Sequence, residues 1–566
     1  MIQGTSSSAG KSSITAGFLR YFANNGLNCS PFKPQNMSLN SYVTDDGFEI
    51  ARSQSMQAEA AGIKPTRFMN PILIKPSENN LLHLIVNGKF FGNMTFQEYN
   101  SKKAQFVEVI KESFEYLLDK DKNDIVIIEG AGSPAEINLY DADVANMGFA
   151  ELYNIPVILV ADIERGGVFA SIYGTIMLLP DKWRKLIKGF IINKFRGDIS
   201  ILKPGIEIIE KKIGILCLGV VPYIENLYIE AEDSLSLEYY DGIKKIVSDK
   251  NNFTASEFRQ VKSEARQNKN ARFKIGIVYL DSISNFNEFD PLFLDDRFDV
   301  FFIKNVPAQD IERERYLNGF DIIIIPGTKS TIPDLKKIKK NELFNCIKNY
   351  HNSSDGIIIG ICGGFQMMGK IINDPMRLES QELSIEGFSF FDMETVIKKE
   401  KILFNRKYKI NNKLDFFTDK RYEEIVLDGY EIHNGVSSFT FNAAAAKETN
   451  IRTEEIFSDF SGKGIISISG DNDKILIGTY VHGLFENDIF RNIIVSALVK
   501  KTIKNKDCRN KRDNNLIINE NDAQRHDFYY KKIKNYNFEL LAEVLEKNIN
   551  ITSVESIFEK KAHNLL

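Results

Sequence analysis

Met1-Ile2-Gln3-Gly4-Thr5-Ser6-Ser7-Ser8-Ala9-Gly10-Lys11-Ser12 runs from a short apolar start into a glycine- and serine-rich loop that ends in Gly-Lys-Ser, and Ile14-Thr15-Ala16-Gly17-Phe18-Leu19 supplies a helix after it. Strand, small-residue loop and helix in that order make a phosphate loop. Gly4, Thr5 and Gly10 let backbone N–H groups close around phosphate oxygens at a helix N-terminus. Lys11 neutralises phosphate charge, and the Ser12 hydroxyl can ligate Mg²⁺. Five residues separate the glycines, one more than the commonest spacing of this motif. The bland alternative is a Gly/Ser-rich turn that happens to contain a lysine. Met1-Ile2-Gln3 is short for a parallel strand, so either the start lies upstream or the sheet tolerates a short first strand.

Outward from this loop, short apolar runs recur, each ending at a polar residue or glycine. Ile125-Val126-Ile127-Ile128 precedes Glu129-Gly130, Val157-Ile158-Leu159-Val160 precedes Asp162, and Phe190-Ile191-Ile192 precedes Asn193. Such runs read as buried parallel strands of a doubly wound α/β sheet, whose ligand groups lie at the strand C-termini. Glu129 then projects toward the phosphate loop and offers a carboxylate ligand for Mg²⁺; its bland alternative is a cap on the next turn. A polar, charged stretch over 244–272 is the expected linker between a first domain, 1–243, and a second, 273–492. The second domain has its own strand series, from Lys274-Ile275-Gly276-Ile277-Val278-Tyr279 to Ile475-Leu476-Ile477-Gly478-Thr479-Tyr480. Residues 493–566, with a basic run from Lys500 to Arg512 and a helix expected over Phe538–Lys547, stand apart as an extension.

The chain has 566 residues, 43% of them hydrophobic, with 72 basic against 76 acidic side chains and a formal net charge of −4. It can bury several cores, and it has no global positive field to hold a nucleic-acid backbone or an anionic membrane. Neither partner is expected. Five scattered cysteines suit a reducing compartment, and neither a membrane-length apolar run nor a signal peptide precedes the motif at Gly4, so a cytoplasmic protein is expected.

Ile359-Gly360-Ile361-Cys362-Gly363-Gly364-Phe365-Gln366 places a cysteine at the end of an apolar strand between small neighbours. A sharp strand-to-helix turn that presents a nucleophile needs such neighbours. A helix N-terminus favours the thiolate, and adjacent N–H groups can bind an oxyanion. Cys29, Cys217, Cys346 and Cys508 lack these flanks and read as structural. The thiol needs a base, and His482, in Thr479-Tyr480-Val481-His482-Gly483, follows another strand; His433 reads as structural or substrate-adjacent. Pro326-Gly327-Thr328 is a second glycine turn that can donate an oxyanion N–H.

Taken together, these strings resemble the cobyric acid synthase family, glutamine-dependent corrinoid amidotransferases of the CobB/CobQ type. The resemblance runs to about residue 492. It is carried by Gln3-Gly4-Thr5 with Gly10-Lys11-Ser12, Pro31-Phe32-Lys33-Pro34-Gln35-Asn36-Met37, Glu129-Gly130-Ala131-Gly132-Ser133-Pro134-Ala135-Glu136-Ile137-Asn138, Asn193-Lys194-Phe195-Arg196-Gly197-Asp198, Cys362-Gly363-Gly364 and Tyr480-Val481-His482-Gly483. It implies an N-terminal synthetase domain similar to dethiobiotin synthetase, using ATP and Mg²⁺ to activate a carboxylate as an acyl phosphate, and a C-terminal class I glutaminase domain that supplies ammonia. The implied corrinoid substrate is (adenosyl)cobyrinic acid a,c-diamide, amidated at its b, d, e and g carboxylates. Cys362 maps onto the nucleophile, His482 onto its base, Lys11 and Ser12 onto the phosphate loop and Glu129 onto a metal ligand. Asn36 and Asp143 lie in signature loops and are assigned to the synthetase site.

Two departures stand out. Most class I glutaminases carry an acid two residues after the histidine, where this chain has Leu484, so something else must orient the dyad. Residues from about 500 match no motif and read as a species-specific tail. Two other functions compete: a cobyrinic acid a,c-diamide synthase, from which the Lys33–Met37 string points away, and a ParA-like nucleotide switch with an inactive glutaminase domain. Such a switch has no reason to keep both Cys362 and His482.

Overall fold

The computed structural model describes residues 1–76, 81–119, 123–232, 272–304, 317–354, 356–411, 424–439, 451–458, 463–469, 474–507 and 530–562. The expected linker, apart from Arg272, lies outside the described residues, as do Cys508, Arg509, Lys511 and Arg512. The chain forms two compact units. One comprises Met1–Thr44, Phe48–Asp233 and Lys532–Leu566; the other comprises Asp45–Gly47 and Ser234–Lys531.

In the first unit, strands Ile2–Gly4, Val157–Asp162, Ile187–Phe195 and Cys217–Pro222 pair in that order, all parallel. Cys29–Phe32 pairs with Ile125–Ile128, and an Ile2 to Glu129 bridge joins this pair to the first strand. The first strand is indeed three residues long. It holds because both of its edges are paired: Ile2 is in register with Ile158, and Gly130 N–H donates to Ile2 O at 2.9 Å. The chain leaves this central strand for the far edge and returns on both sides of it, so the loop after Gly4 lies at the topological switch point, where doubly wound sheets bind ligands. Alternate residues feed opposite faces. Leu159, Phe190 and Ile192 join one core, while Ile158, Val160 and Ile191 pack with Ile14, Phe18 and Leu19 of the Lys11–Asn24 helix in another.

In the second unit, strands Phe298–Ile303, Phe273–Val278, Ile322–Ile325, Ile357–Ile361 and Ile475–Thr479 run parallel in that order. Gly464–Ser469 and Ile451–Glu455 extend the sheet antiparallel. A separate five-stranded sheet contains the long antiparallel pair Met393–Lys409 and Val426–Phe439 and ends at Val481–His482. The unit is α/β as expected, but its sheets are mixed rather than purely parallel. The long pair carries Lys398-Lys399-Glu400-Lys401 and has no continuous apolar run to announce it.

The C-terminal residues, expected as a helical extension, divide between the two units. Asp488–Asp507 is a helix of the second unit. The helices Tyr530–Asn548 and Ile551–Ala562, from Lys532 onward, belong to the first, where Leu545, Ile549 and Val554 sit in the same core as Ile14 and Phe18. No helix among the described residues is long and apolar enough to cross a membrane.

Candidate functional site

Two constellations form, one in each unit. In the first, Gly10 takes φ +96° at the start of the Lys11–Asn24 helix, a conformation open to glycine at little cost, and a Cβ there would fall 2.1 Å from Asn193 Nδ2. The same Asn193 amide donates to Ala9 O at 3.0 Å, and Lys194 Nζ donates to Ser8 O at 3.0 Å, so the end of the Ile187–Phe195 strand holds the loop. Thr5 N–H donates to Val160 O at 2.9 Å. Lys11 curls over the loop, donating to Ser6 O at 3.0 Å and to Gly132 O at 2.9 Å. Burial lowers its pKa below the ordinary lysine value, against the pull of Glu129.

Ser12 Oγ donates to Glu129 Oε1 at 2.9 Å and to Glu232 Oε2 at 3.3 Å. Glu129, fully buried, also accepts from Lys33 Nζ at 3.1 Å. Lys33 is paired with Glu232 as well. Burial alone would lower the Lys33 ammonium pKa, but the two carboxylates hold it above its ordinary range. Glu232 is likewise kept below the usual carboxylate range, its burial being outweighed by Lys33 and by hydrogen bonds from Asn36 and Ser53. Lys11 and Lys33 thus balance Glu129 and Glu232, as charges withdrawn from water require.

Asn36 Nδ2 donates to Glu232 Oε1 at 2.9 Å and to Gln54 Oε1 at 3.0 Å, so the structure brings it into this cluster. Asp143 lies apart from it. Its carboxylate accepts from the N–H groups of Ala145, Asn146 and Gly148 at 2.8–2.9 Å, shaping a turn whose Asn146 side chain in turn holds Ala131 N and O. The turn that Asp143 shapes thus borders Ala131-Gly132, whose Gly132 O accepts from Lys11.

The oxygen donors Ser12, Glu129 and Glu232 suit Mg²⁺, which takes one or two protein carboxylates and completes its shell with water and phosphate oxygens. A denser cluster of ligand side chains is absent among the described residues. Gln57 Oε1 and Gln54 Nε2 are buried without hydrogen-bond partners among those residues, which leaves polar wall for a polar ligand. The residues fit a magnesium–nucleotide. Glu232, 220 positions from Ser12, has no motif signal of its own in the sequence.

In the second unit Cys362 sits between strand Ile357–Ile361 and the short helix Gly363–Met367 with φ 50° and ψ −106°, the strained turn of a nucleophile elbow. Gly364 is required there by close approach: a Cβ on it would lie 1.9 Å from Ile325 O. Cys362 is 7% exposed, and its thiol donates to Ile432 O at 3.6 Å. A Cβ on Gly327 would lie 2.9 Å from His482 Cε1 and 3.6 Å from Cys362 Cβ, so the Pro326-Gly327 turn borders both side chains.

His482 Nδ1 is 3.1 Å from Glu288 Oε1, and Nε2 has no hydrogen-bond partner among the described residues. Burial would depress the imidazole, but Glu288 and the Cys362 thiol raise it to about 10, favouring the imidazolium. Glu288 is the orienting acid missing after His482. It reaches the histidine from a 3₁₀ turn, Phe286–Phe289, far upstream in sequence. His433 has both ring nitrogens engaged elsewhere, with Gly435 O at 2.7 Å and Glu431 Oε2 at 3.3 Å, and stacks on Tyr480. A thiol beside a carboxylate-held imidazole, bordered by the Pro326-Gly327 turn, is an arrangement able to attack an amide carbonyl.

Residues 1–237 match the model of the CobQ/CobB/MinD/ParA nucleotide binding domain, and residues 274–490 match that of the CobB/CobQ-like glutamine amidotransferase domain. A cobyric acid synthase of Thermoanaerobacter sp. (strain X514) is 40% identical over 99% of this chain and 98% of its own length. One of Clostridium tetani is 38% identical over 98% of both. These alignments take in the C-terminal helices, so the tail expected to be peculiar to this chain is shared. A glutamine amidotransferase of Thermotoga maritima aligns with 48% of this chain at 13% identity and a TM-score of 0.26, too low to carry weight. With a nucleotide-binding unit and a glutamine amidotransferase unit matched in order and relatives aligned end to end, this chain belongs to the cobyric acid synthase family of glutamine-dependent amidotransferases.

Proposed function

We propose that the chain catalyses the ATP- and glutamine-dependent amidation of the b, d, e and g carboxylates of (adenosyl)cobyrinic acid a,c-diamide. The observation that carries this is the presence, in one chain, of the Lys11–Ser12–Glu129 constellation and the Cys362–His482–Glu288 constellation. Neither half makes an amide from a carboxylate and glutamine by itself. ATP with Mg²⁺ supplies the phosphoryl group that activates a carboxylate for attack by ammonia. Lys11 neutralises phosphate charge, Ser12 and Glu129 hold the metal, and Gly4, Thr5, Gly10 and Asn36 shape the cradle, with Asp143 acting through its turn.

At the other constellation, Cys362 Sγ attacks the glutamine carboxamide carbon. The oxyanion is met by N–H groups of Gly363 and the Gly327 turn, and His482 passes a proton to the departing ammonia. Water then hydrolyses the thioester, with His482 as base and Glu288 holding its ring. The test is mass spectrometry of cobyrinic acid a,c-diamide incubated with the protein, ATP, Mg²⁺ and glutamine. Stepwise exchange of hydroxyl for amino groups, four in all and ending at the hexa-amide, is expected. A corrinoid of unchanged mass under turnover conditions overturns the proposal.

A further inference from the structure

After the strand Cys217–Pro222, residues 223–232 have no helix or strand of their own, yet they deliver Glu232 to Ser12, Lys33, Asn36 and Ser53. A segment without a ladder is held by whatever satisfies its polar groups and covers its apolar ones. Here much of that comes from the C-terminal helix Tyr530–Asn548. Asn537 Oδ1 accepts from Tyr228 N–H at 2.8 Å, and Lys534 Nζ lies 3.0 Å from Glu230 Oε1 while also pairing with Glu59. Glu230 is gripped from its other side by Arg52, whose Nε and Nη2 reach its two oxygens at 2.7 and 3.0 Å. Phe538 and Leu541 are buried with Ala16, Met56 and Ala60, and Ile224, Leu227 and Ile229 pack against them. Arg52 with Glu230, then Ser53 with Glu232 at 3.1 Å, close the segment onto the start of the Arg52–Ala60 helix.

We propose that the C-terminal helix is a clasp of the synthetase site, in which Lys534 and Asn537 are positioning residues that hold Tyr228–Glu230 so that Glu232 stays against Ser12 and Lys33. This deepens the ATP-dependent function proposed above and rests on it for its catalytic consequence. Lys534 is buried, so its removal leaves Glu230 with one cation fewer in a place water does not reach, and the two residues to Glu232 transmit the displacement. An arginine at 534 retains a cation able to bridge Glu59 and Glu230.

The test uses the full-length chain with Lys534→Met, Lys534→Arg and Asn537→Ala. Hydrogen–deuterium exchange without nucleotide is read on peptides spanning 223–232. Lys534→Met and Asn537→Ala are expected to speed exchange there by about tenfold, with Lys534→Arg near wild type. Unchanged exchange in both Lys534→Met and Asn537→Ala overturns the clasp, and because this readout needs no turnover it decides the matter even if no ATP-dependent amidation is found, an outcome that instead defeats the proposed function.

Where amidation is found, Lys534→Met is expected to lower the kcat of the ammonium-driven reaction about tenfold, with the corrinoid KM little changed and glutamine hydrolysis intact. On a Glu232→Gln background the same substitution should add little, since both act through one carboxylate. An equal further fall on that background would show that Lys534 does not act through Glu232.

Discussion

His482 Nδ1 meets Glu288 Oε1 at 3.1 Å with both side chains 1% exposed, so a buried carboxylate 194 positions away sets the charge of the imidazole beside Cys362. Replacing Glu288 with glutamine removes the charge and keeps the shape. Glu288→Gln should lower glutamine hydrolysis by roughly 10²-fold while leaving ammonium-driven amidation near wild type. NMR of ring-labelled histidine should show the His482 imidazole titrating well below its wild-type position, because the carboxylate that favours the imidazolium is gone. An unshifted titration would mean that Glu288 does not control the base.

The same pair makes stability depend on pH. The His482 imidazole is raised from 6.5 to about 10 in the folded chain, so the stability it adds is full below pH 6.5, declines above it and is lost as pH passes about 10. Denaturation of wild type and Glu288→Gln should therefore show a gap that is widest at pH 6 and narrows steadily toward pH 10. A gap that widens with pH would contradict the assignment.

Cys362→Ser should abolish glutamine-dependent amidation and keep the reaction driven by high ammonium at elevated pH, where free ammonia is available. His482→Ala should show the same split less completely, since the sulfur keeps some nucleophilicity without its base. Equal loss from both nitrogen sources in folded Cys362→Ser protein would place Cys362 in a structural or synthetase role.

Lys11→Ala should remove amidation from either nitrogen source, on the order of 10³-fold, because the charge on the transferring phosphoryl group loses its neutralising partner. Glutamine hydrolysis should survive at least in part. Near wild-type amidation by Lys11→Ala would refute the phosphate-loop assignment.

Gly364→Ala forces a methyl group to within 1.9 Å of Ile325 O, a backbone atom of a buried strand that has nowhere to retreat. A loss of about 3 kcal/mol is expected in chemical denaturation, together with loss of glutamine hydrolysis as the elbow shifts. Wild-type stability would show that the turn can relax without cost.

The sequence alone determined the features whose physics is local. Gly10-Lys11-Ser12 needs only its own loop and helix to be recognised, and the flanks of Cys362 announce a sharp turn whatever lies around it. Apolar runs such as Ile322–Ile325 mark strands buried on both faces because such strands have no room for polar residues. Glu288 and Glu232 were beyond this reach: each acts on a partner about two hundred positions away, and an isolated glutamate looks the same whether it faces water or a buried cation. Of the helix Tyr530–Asn548 only Phe538–Lys547 could be foreseen, and only the tertiary structure decided that it packs beside the Lys11–Asn24 helix. Local propensity shows that an amphipathic face exists, whereas the surface that buries it is chosen by packing complementarity with distant parts of the chain.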